Sequence, residues 1–272
     1  MLNALKELFR PAPSPPAPRV PAGTRYYVIG DIHGRLDLYE AMIDAIEADA
    51  ADAGDLEVRI ILLGDLVDRG PDSSGVLATT REWQRRRNVR VLTGNHEEMF
   101  LQAFEKPEIL RHFLKHGGRE TILSFGLSSG LSRKKFNTLE LEELFDLLPR
   151  IVPQSERDYI ASFEEMIVAG DYVFVHAGVD PAQPLEAQKR SDLLWIRDRF
   201  LDHEGPLEKV VVHGHTIFEK VMDCGNRIGI DTGAFRSGVL TALVLEADQR
   251  RIIQTCQQDC GPAEVFHGDR AR

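Results

Sequence analysis

Five short polar segments, each placed just past a predicted strand or in a turn, constrain this chain more than anything else in it. They are Gly30-Asp31-Ile32-His33-Gly34, Gly64-Asp65-Leu66-Val67-Asp68-Arg69-Gly70, Gly94-Asn95-His96-Glu97, His176-Ala177-Gly178 and His213-Gly214-His215. A charge at the end of a buried strand is costly unless a counter-charge meets it. Gly30 and Gly34 permit the irregular turn from which Asp31 and His33 can both reach one point. In an α/β layout, the carboxyl ends of strands are where ligands gather.

Collected, the segments offer the carboxylates Asp31 and Asp65, the amide Asn95 and the imidazoles His33, His176 and His215. This oxygen and nitrogen set contains no thiolate, which suits Mn²⁺, Fe or Zn²⁺ better than Cu(I) or a structural cysteine-zinc site. Asp65 ends the most apolar strand and is placed to bridge two cations. Two divalent metal ions that share a ligand can activate water against a phosphate ester, so the residues alone read as a phosphoesterase. Taken singly, each has a plainer reading: an aspartate after a strand caps a turn, Asn95 caps a helix, and a histidine is satisfied in a core. The ordered set removes that reading.

The 272 residues are 43% hydrophobic and 28% charged, as in ordinary globules. A net charge of -10 repels nucleic acid and anionic membrane, so a phosphorylated substrate must be drawn in by metals and arginines in the cleft. The basic run Arg85-Arg86-Arg87 reads as a solvated helix end. Cys224, Cys256 and Cys260 form no regular framework, which implies reduced thiols in a cytoplasmic protein and no zinc site. No apolar run approaches the roughly 18 residues of a membrane span, and the N-terminus lacks the features of a secretion signal.

Residues 1–9 read as a short amphipathic helix and residues 11–22 as a proline-rich tether, so the helix is an appendage that could serve in docking. A catalytic domain is expected over residues 23–255, with a tail over residues 256–272. Residues 26–29, 58–63 and 89–93 read as strands, with helices after Gly34 and over residues 73–86, which is a parallel βαβαβ unit. The run 58–63 is taken as a central strand buried on both faces. Residues 98–157 read as a helical cap. Within it Asn137 and Glu140 resemble a capping box, Leu141, Leu144, Phe145 and Leu148 mark one face, and Pro149 closes the helix. Residues 166–169 and 172–176 flank Gly170-Asp171, a hairpin signal. Strands over residues 210–213, 227–231, 239–246 and 251–255 follow. The expected fold is α/β, with two facing mixed sheets and helices outside.

From residue 26 to about residue 246 the chain resembles the phosphoprotein phosphatase family of metallophosphoesterases, through its motifs GDxHG, GDxxDRG, GNHE, HAG and GH. It is most similar to the bacterial and phage-type protein phosphatases and to the symmetrical diadenosine tetraphosphate hydrolases. Leu194-Trp195-Ile196-Arg197 resembles the phage-type Trp-x-Arg segment, and Ile230-Asp231-Thr232-Gly233-Ala234 their closing strand and turn. The resemblance implies a calcineurin-like αββα sandwich and two metal ions, Mn²⁺ first among the candidates. One ion would be held by Asp31, His33 and Asp65, the other by Asp65, Asn95, His176 and His215. It further implies that a water shared by both attacks phosphorus in line, that His96, oriented by Asp68, protonates the leaving oxygen, and that Arg69 and Arg197 clamp the phosphate.

The implied activity is a serine/threonine protein phosphatase acting on phosphorylated proteins or peptides. The alternatives are hydrolysis of dinucleoside polyphosphates, as by a symmetrical bis(5'-nucleosyl)-tetraphosphatase, and a metal-binding scaffold without catalysis. Arg119 could reach the cleft or the surface, His112 and His116 read as exposed, and His213 as no ligand. Arg199 is a competitor to Arg197. The aromatic-rich segment of the eukaryotic members is not evident at Phe235-Arg236-Ser237-Gly238.

Overall fold

The computed structural model describes residues 17–128, 130–257 and 264–269. The expected N-terminal helix lies outside the described residues, as do residues 11–16 of the tether. The first strand, β1 (Thr24–Ile29), leads into α1 (Leu36–Ala51), β2 (Glu57–Leu62), α2 (Ser73–Gln84) and β3 (Asn88–Val91), and β1, β2 and β3 pair in parallel. The antiparallel strands β9 (Val239–Glu246), β10 (Gln249–Cys256) and β11 (Glu264–Asp269) extend this sheet to six, in the order β11-β10-β9-β1-β2-β3. A second, five-stranded sheet runs β4 (Met166–Ala169), β5 (Tyr172–Val175), β6 (Val210–His213), β8 (Arg227–Gly229), β7 (Met222–Asp223).

Period-two alternation along the strands explains how the sheets stack. On β1, Tyr26 and Val28 face the second sheet and pack with Phe174, Val212 and Ile228, while Tyr27 and Ile29 face α1 and α2. On the far side of the second sheet, Val173, Val175 and Val211 meet Leu193, Ile196 and Phe200. Helix, sheet, sheet, helix is the expected order of layers. Each fully buried side chain of this kind contributes roughly 1.5–3 kcal/mol.

Five local readings need correction. In the run 58–63, Arg59 breaks the apolar pattern, donating to Glu57 and to the Tyr26 hydroxyl, so β2 is buried only from Ile60 onward. The capping box of α7 (Leu141–Ile151) is formed by Glu140 and Glu143, because the helix begins after Glu140 rather than after Asn137. Pro149 lies inside that helix, whose last turn closes with the Val152 N–H on Leu148 O. Lacking an N–H, Pro149 cannot donate to the carbonyl one turn before it, a bond this helix forgoes. Packing also reaches upstream of Gly23: Val20 joins the core between the sheets, its N–H donating to Ala247 O. Downstream, β11 falls within the segment expected as a tail.

The region expected as a cap is helical, with α3 (Asn95–Gln102), α4 (Pro107–Phe113), α5 (Arg119–Ser128), α6 (Arg133–Phe136), α7 and α8 (Gln154–Ala161). A kinked turn, Leu114–Gly118, joins α4 to α5. Among the described residues, no helix is long and apolar enough to cross a membrane.

Candidate metal centre and active site

The strand-end loops converge because glycines let their backbones touch. Gly64 takes φ +95°, and a Cβ there would lie 2.6 Å from the Gly94 nitrogen. Only glycine fits so close an approach at such a φ. The loop after β2 therefore rests on the loop before α3, bringing Asp65 beside Asn95 and His96. Glu97 secures the contact: its carboxylate accepts the N–H groups of Gly94 at 2.7 Å, Asp65 and Leu66 at 2.8 Å, and Val67 at 3.3 Å. Burial and the neighbouring Asp65 push the Glu97 carboxyl up to about 7.

Two sets of ligand atoms converge within 4.8 Å: His33, Asp65 and His96, and Asp65, His176 and His215. Asp65 belongs to both, its Oδ2 lying 3.5 Å from His33 Nε2 and its Oδ1 3.5 Å from His176 Nε2. Burial opposes its charge, yet the four surrounding imidazoles hold its carboxyl well below the usual carboxylate range. Asp31 belongs to neither set. Its two oxygens accept the His215 N–H at 3.2 and 3.1 Å, and it lies next to buried Asp231. Burial and the charges of Asp231 and Asp65 raise the Asp31 carboxyl, and burial pushes Asp231 up to about 6. So much buried negative charge calls for cations.

The imidazoles fit that demand. His33 and His176 each donate Nδ1–H to a backbone carbonyl, Val67 O and Leu63 O, both at 2.8 Å. Burial disfavours their charged forms, pushing His33 down to about 3 and lowering His176. Their Nε2 atoms are thereby left as the lone-pair side of each ring, the side a metal would use, an orientation that outer carbonyls commonly fix. His176 Nε2 faces the Asn95 side-chain oxygen at 2.9 Å, lone pair against lone pair, a contact that a shared cation relieves. His215 places Nδ1 2.8 Å from that same oxygen, and its buried Nε2 has no hydrogen-bond partner.

His96 differs from the other rings. Its Nδ1–H donates to a carboxylate, Asp68 Oδ2, at 2.6 Å. Burial works against its charge, but Asp65 and Asp68 outweigh it and raise its pKa. Arg69 does not pair with Asp68 or Asp72; its guanidinium reaches His33 Nε2 at 2.7 Å and His96 Nε2 at 2.8 Å. Arg197 is exposed and donates to the Thr216 hydroxyl at 3.3 Å. Its competitor Arg199 is engaged elsewhere, by Asp192 at 2.7 Å and Asp180 at 3.3 Å. Arg119 stays with Asn137 and the Phe136 ring, His112 and His116 are exposed, and His213 is enclosed by Phe200 and Phe218.

Three participants escaped the sequence reading. Glu97 and Asp231 stood inside quoted motifs without a role. Phe235 supplies an aromatic wall where none was expected, its ring 5.3 Å from the His33 ring and 4.6 Å from the Arg69 guanidinium. Its only signal was its place just after Gly233-Ala234.

Residues 24–235 match the calcineurin-like phosphoesterase family. Serine/threonine-protein phosphatase 1 of Salmonella typhimurium is 31% identical over 221 residues, covering 79% of this chain and 89% of that protein. An asymmetrical bis(5'-nucleosyl)-tetraphosphatase of Anoxybacillus flavithermus is 23% identical over 232 residues, covering 80% and 89%. A cold-active protein tyrosine phosphatase superposes with a TM-score of 0.56 over 89% of this chain and 78% of that one; at 19% identity the likeness concerns the fold. The chain belongs to the calcineurin-like phosphoesterase family, as a metal-dependent phosphoesterase whose two ligand clusters meet at Asp65.

Proposed function

We propose that this protein is a cytoplasmic serine/threonine protein phosphatase that hydrolyses phosphomonoesters without a covalent intermediate. One observation carries the reading: the ring partners divide the histidines by role. His33 and His176 donate Nδ1–H to carbonyls, which leaves neutral ligands, whereas His96 donates to Asp68, which favours its protonated form. His96 is therefore assigned as the group that protonates the leaving serine or threonine oxygen. Asp31, His33 and Asp65 would hold one divalent cation and Asp65, Asn95, His176 and His215 the other, with Mn²⁺ as the metal that suits this donor set. Such cations, when bound, supply a water acidic enough to react near neutral pH and offset the charge of the phosphoryl oxygens.

The remaining work falls to side chains. Arg69, backed by Phe235, and Arg197 at the rim would hold phosphoryl oxygens through their planar forks. Asp68 keeps the His96 ring aligned, and Nε2 would carry the proton once Arg69 leaves it for the phosphoryl oxygens. The greater identity to the Salmonella protein phosphatase than to the tetraphosphatase supports a phosphoprotein substrate.

The test compares kcat/KM on a phosphoserine peptide and on diadenosine tetraphosphate with Mn²⁺ present. A preference for the peptide is expected, and the reverse would transfer the assignment to dinucleoside polyphosphates. His96→Asn is expected to keep its metals while turnover on the peptide falls at least about a hundredfold. Near-normal turnover would remove His96 from its role.

A further inference from the structure

We propose that Thr121, a residue of the helical cap, is a positioning residue for the Asp68–His96 pair. The inference rests on the reading of His96 as proton donor and deepens it. Thr121 is the third residue of α5 and is 0% exposed, so it touches no substrate. Its hydroxyl donates to Asp68 Oδ1 at 2.6 Å, and the same oxygen accepts the Asp68 backbone N–H at 2.8 Å. The Ser73 hydroxyl lies 2.9 Å from Thr121 Oγ1 and 3.0 Å from the Asp68 nitrogen.

The directions of these bonds follow from chemistry. An ionised carboxylate only accepts, so the Thr121 proton must point at Asp68, and Thr121 must then accept from Ser73. Asp68 is thus held at both oxygens, by Thr121 on Oδ1 and by His96 on Oδ2. Chained hydrogen bonds of this kind reinforce one another inside a protein.

The backbone gives the clamp its purpose. Asp68 and Arg69 are consecutive non-glycine residues at φ +73° and φ +68°, a conformation that surroundings must enforce. The cap takes hold of both amides. Thr121 receives the Asp68 N–H, and Gly117 O receives the Arg69 N–H at 3.0 Å. Gly117 itself sits at φ +107°, and a Cβ there would come within 2.7 Å of Arg69 Cγ. One short stretch of the cap, Gly117 to Thr121, therefore fixes the proton donor's partner and the phosphate-facing arginine together.

Thr121→Val keeps the shape and removes the hydroxyl. It is expected to lower kcat on a phosphoserine peptide about 10- to 100-fold, with KM and metal content unchanged. Thr121→Ser should restore kcat to within about threefold, because it returns the bond to Asp68. The defect should shrink on p-nitrophenyl phosphate, whose leaving oxygen needs no proton, and His96→Asn should show that same dependence. A further readout is the downfield proton resonance of His96 Nδ1–H in the full chain loaded with diamagnetic Zn²⁺. It should shift in Thr121→Val and return in Thr121→Ser.

Normal kcat and an unmoved resonance in Thr121→Val would overturn the proposal, as would equal impairment by serine and valine. Should Thr121→Val fail to fold, Thr121→Ala removes the same hydroxyl with less bulk and decides in its place. If His96→Asn shows the leaving-group dependence and Thr121→Val does not, this inference alone falls. If His96→Asn shows none, the reading beneath it falls as well and takes the inference with it.

Discussion

The strand-end loops and the helical cap are built on opposite terms. Among the described residues, six non-glycine residues take positive φ, and five of them are His33, Asp65, Asp68, Arg69 and His215. Each such position costs on the order of 1–3 kcal/mol and persists only where its neighbours over-determine it. For Asp65 and Asp68 those neighbours are Glu97, which accepts four loop amides, and Thr121. The cap is made of ordinary helices that bury apolar faces, such as Leu144 and Leu148, and its positive φ values fall on Gly117 and Gly130. The lesson is a division of labour. Geometry is stored in the loops, stability in the cap, and the two are joined where Gly117 and Thr121 grip Asp68 and Arg69.

That contrast can be broken most forcefully at Asp65. Asp65→Asn removes the carboxylate common to both clusters, so metal content should fall from two ions to none and turnover to background. Two ions retained, by elemental analysis, would refute the sharing. Next in size, Leu148→Ala opens a cavity in the cap and should cost about 2–5 kcal/mol in denaturant unfolding. Metal stoichiometry of the folded variant should be unchanged, and a loss of metal would mean that cap packing and loop geometry are one unit.

The smallest effect belongs to neither region and calibrates both. Burial would raise the Asp49 carboxyl, but Arg251, the Tyr27 hydroxyl and Arg25 hold it below its ordinary value of 3.8. A carboxyl depressed in the fold stabilises it above the unfolded pKa, and the benefit fades as pH falls through the folded value. Asp49→Asn should therefore lower the Tm at pH 7 by a few degrees, with the gap to the unaltered chain closing below about pH 3.8. A gap constant over pH 3–7 would show that the effect is one of packing.

How far the molecule could be read in advance depended on the kind of interaction. The parallel unit of β1, β2 and β3 follows from apolar runs at regular spacing, and the hairpin β4–β5 from Gly170-Asp171, since both are local patterns. The meeting of Asp65, Asn95, His176 and His215 was legible because each stands in a recognisable motif. Asp31 was legible as a residue of the site but not in its orientation, which depends on the His215 amide 184 positions away. Glu140 and Pro149 were misread because helix register is settled by packing that a short window of sequence does not contain, whereas Arg59 interrupts the run 58–63 in the sequence itself.

By itself, the amino-acid order determined which strand ends would carry carboxylates, imidazoles and an amide, and hence that the chemistry is metal-assisted. Side-chain type and hydrophobic period are properties of neighbouring residues, so they survive without a structure. Only the tertiary arrangement decided that His33 and His176 face carbonyls, that Phe235 backs Arg69, and that Thr121 reaches across to Asp68 from 53 positions away. Those assignments turn on distances of 2.6 to 4.6 Å between residues remote in the chain, and such distances are set by how whole elements pack.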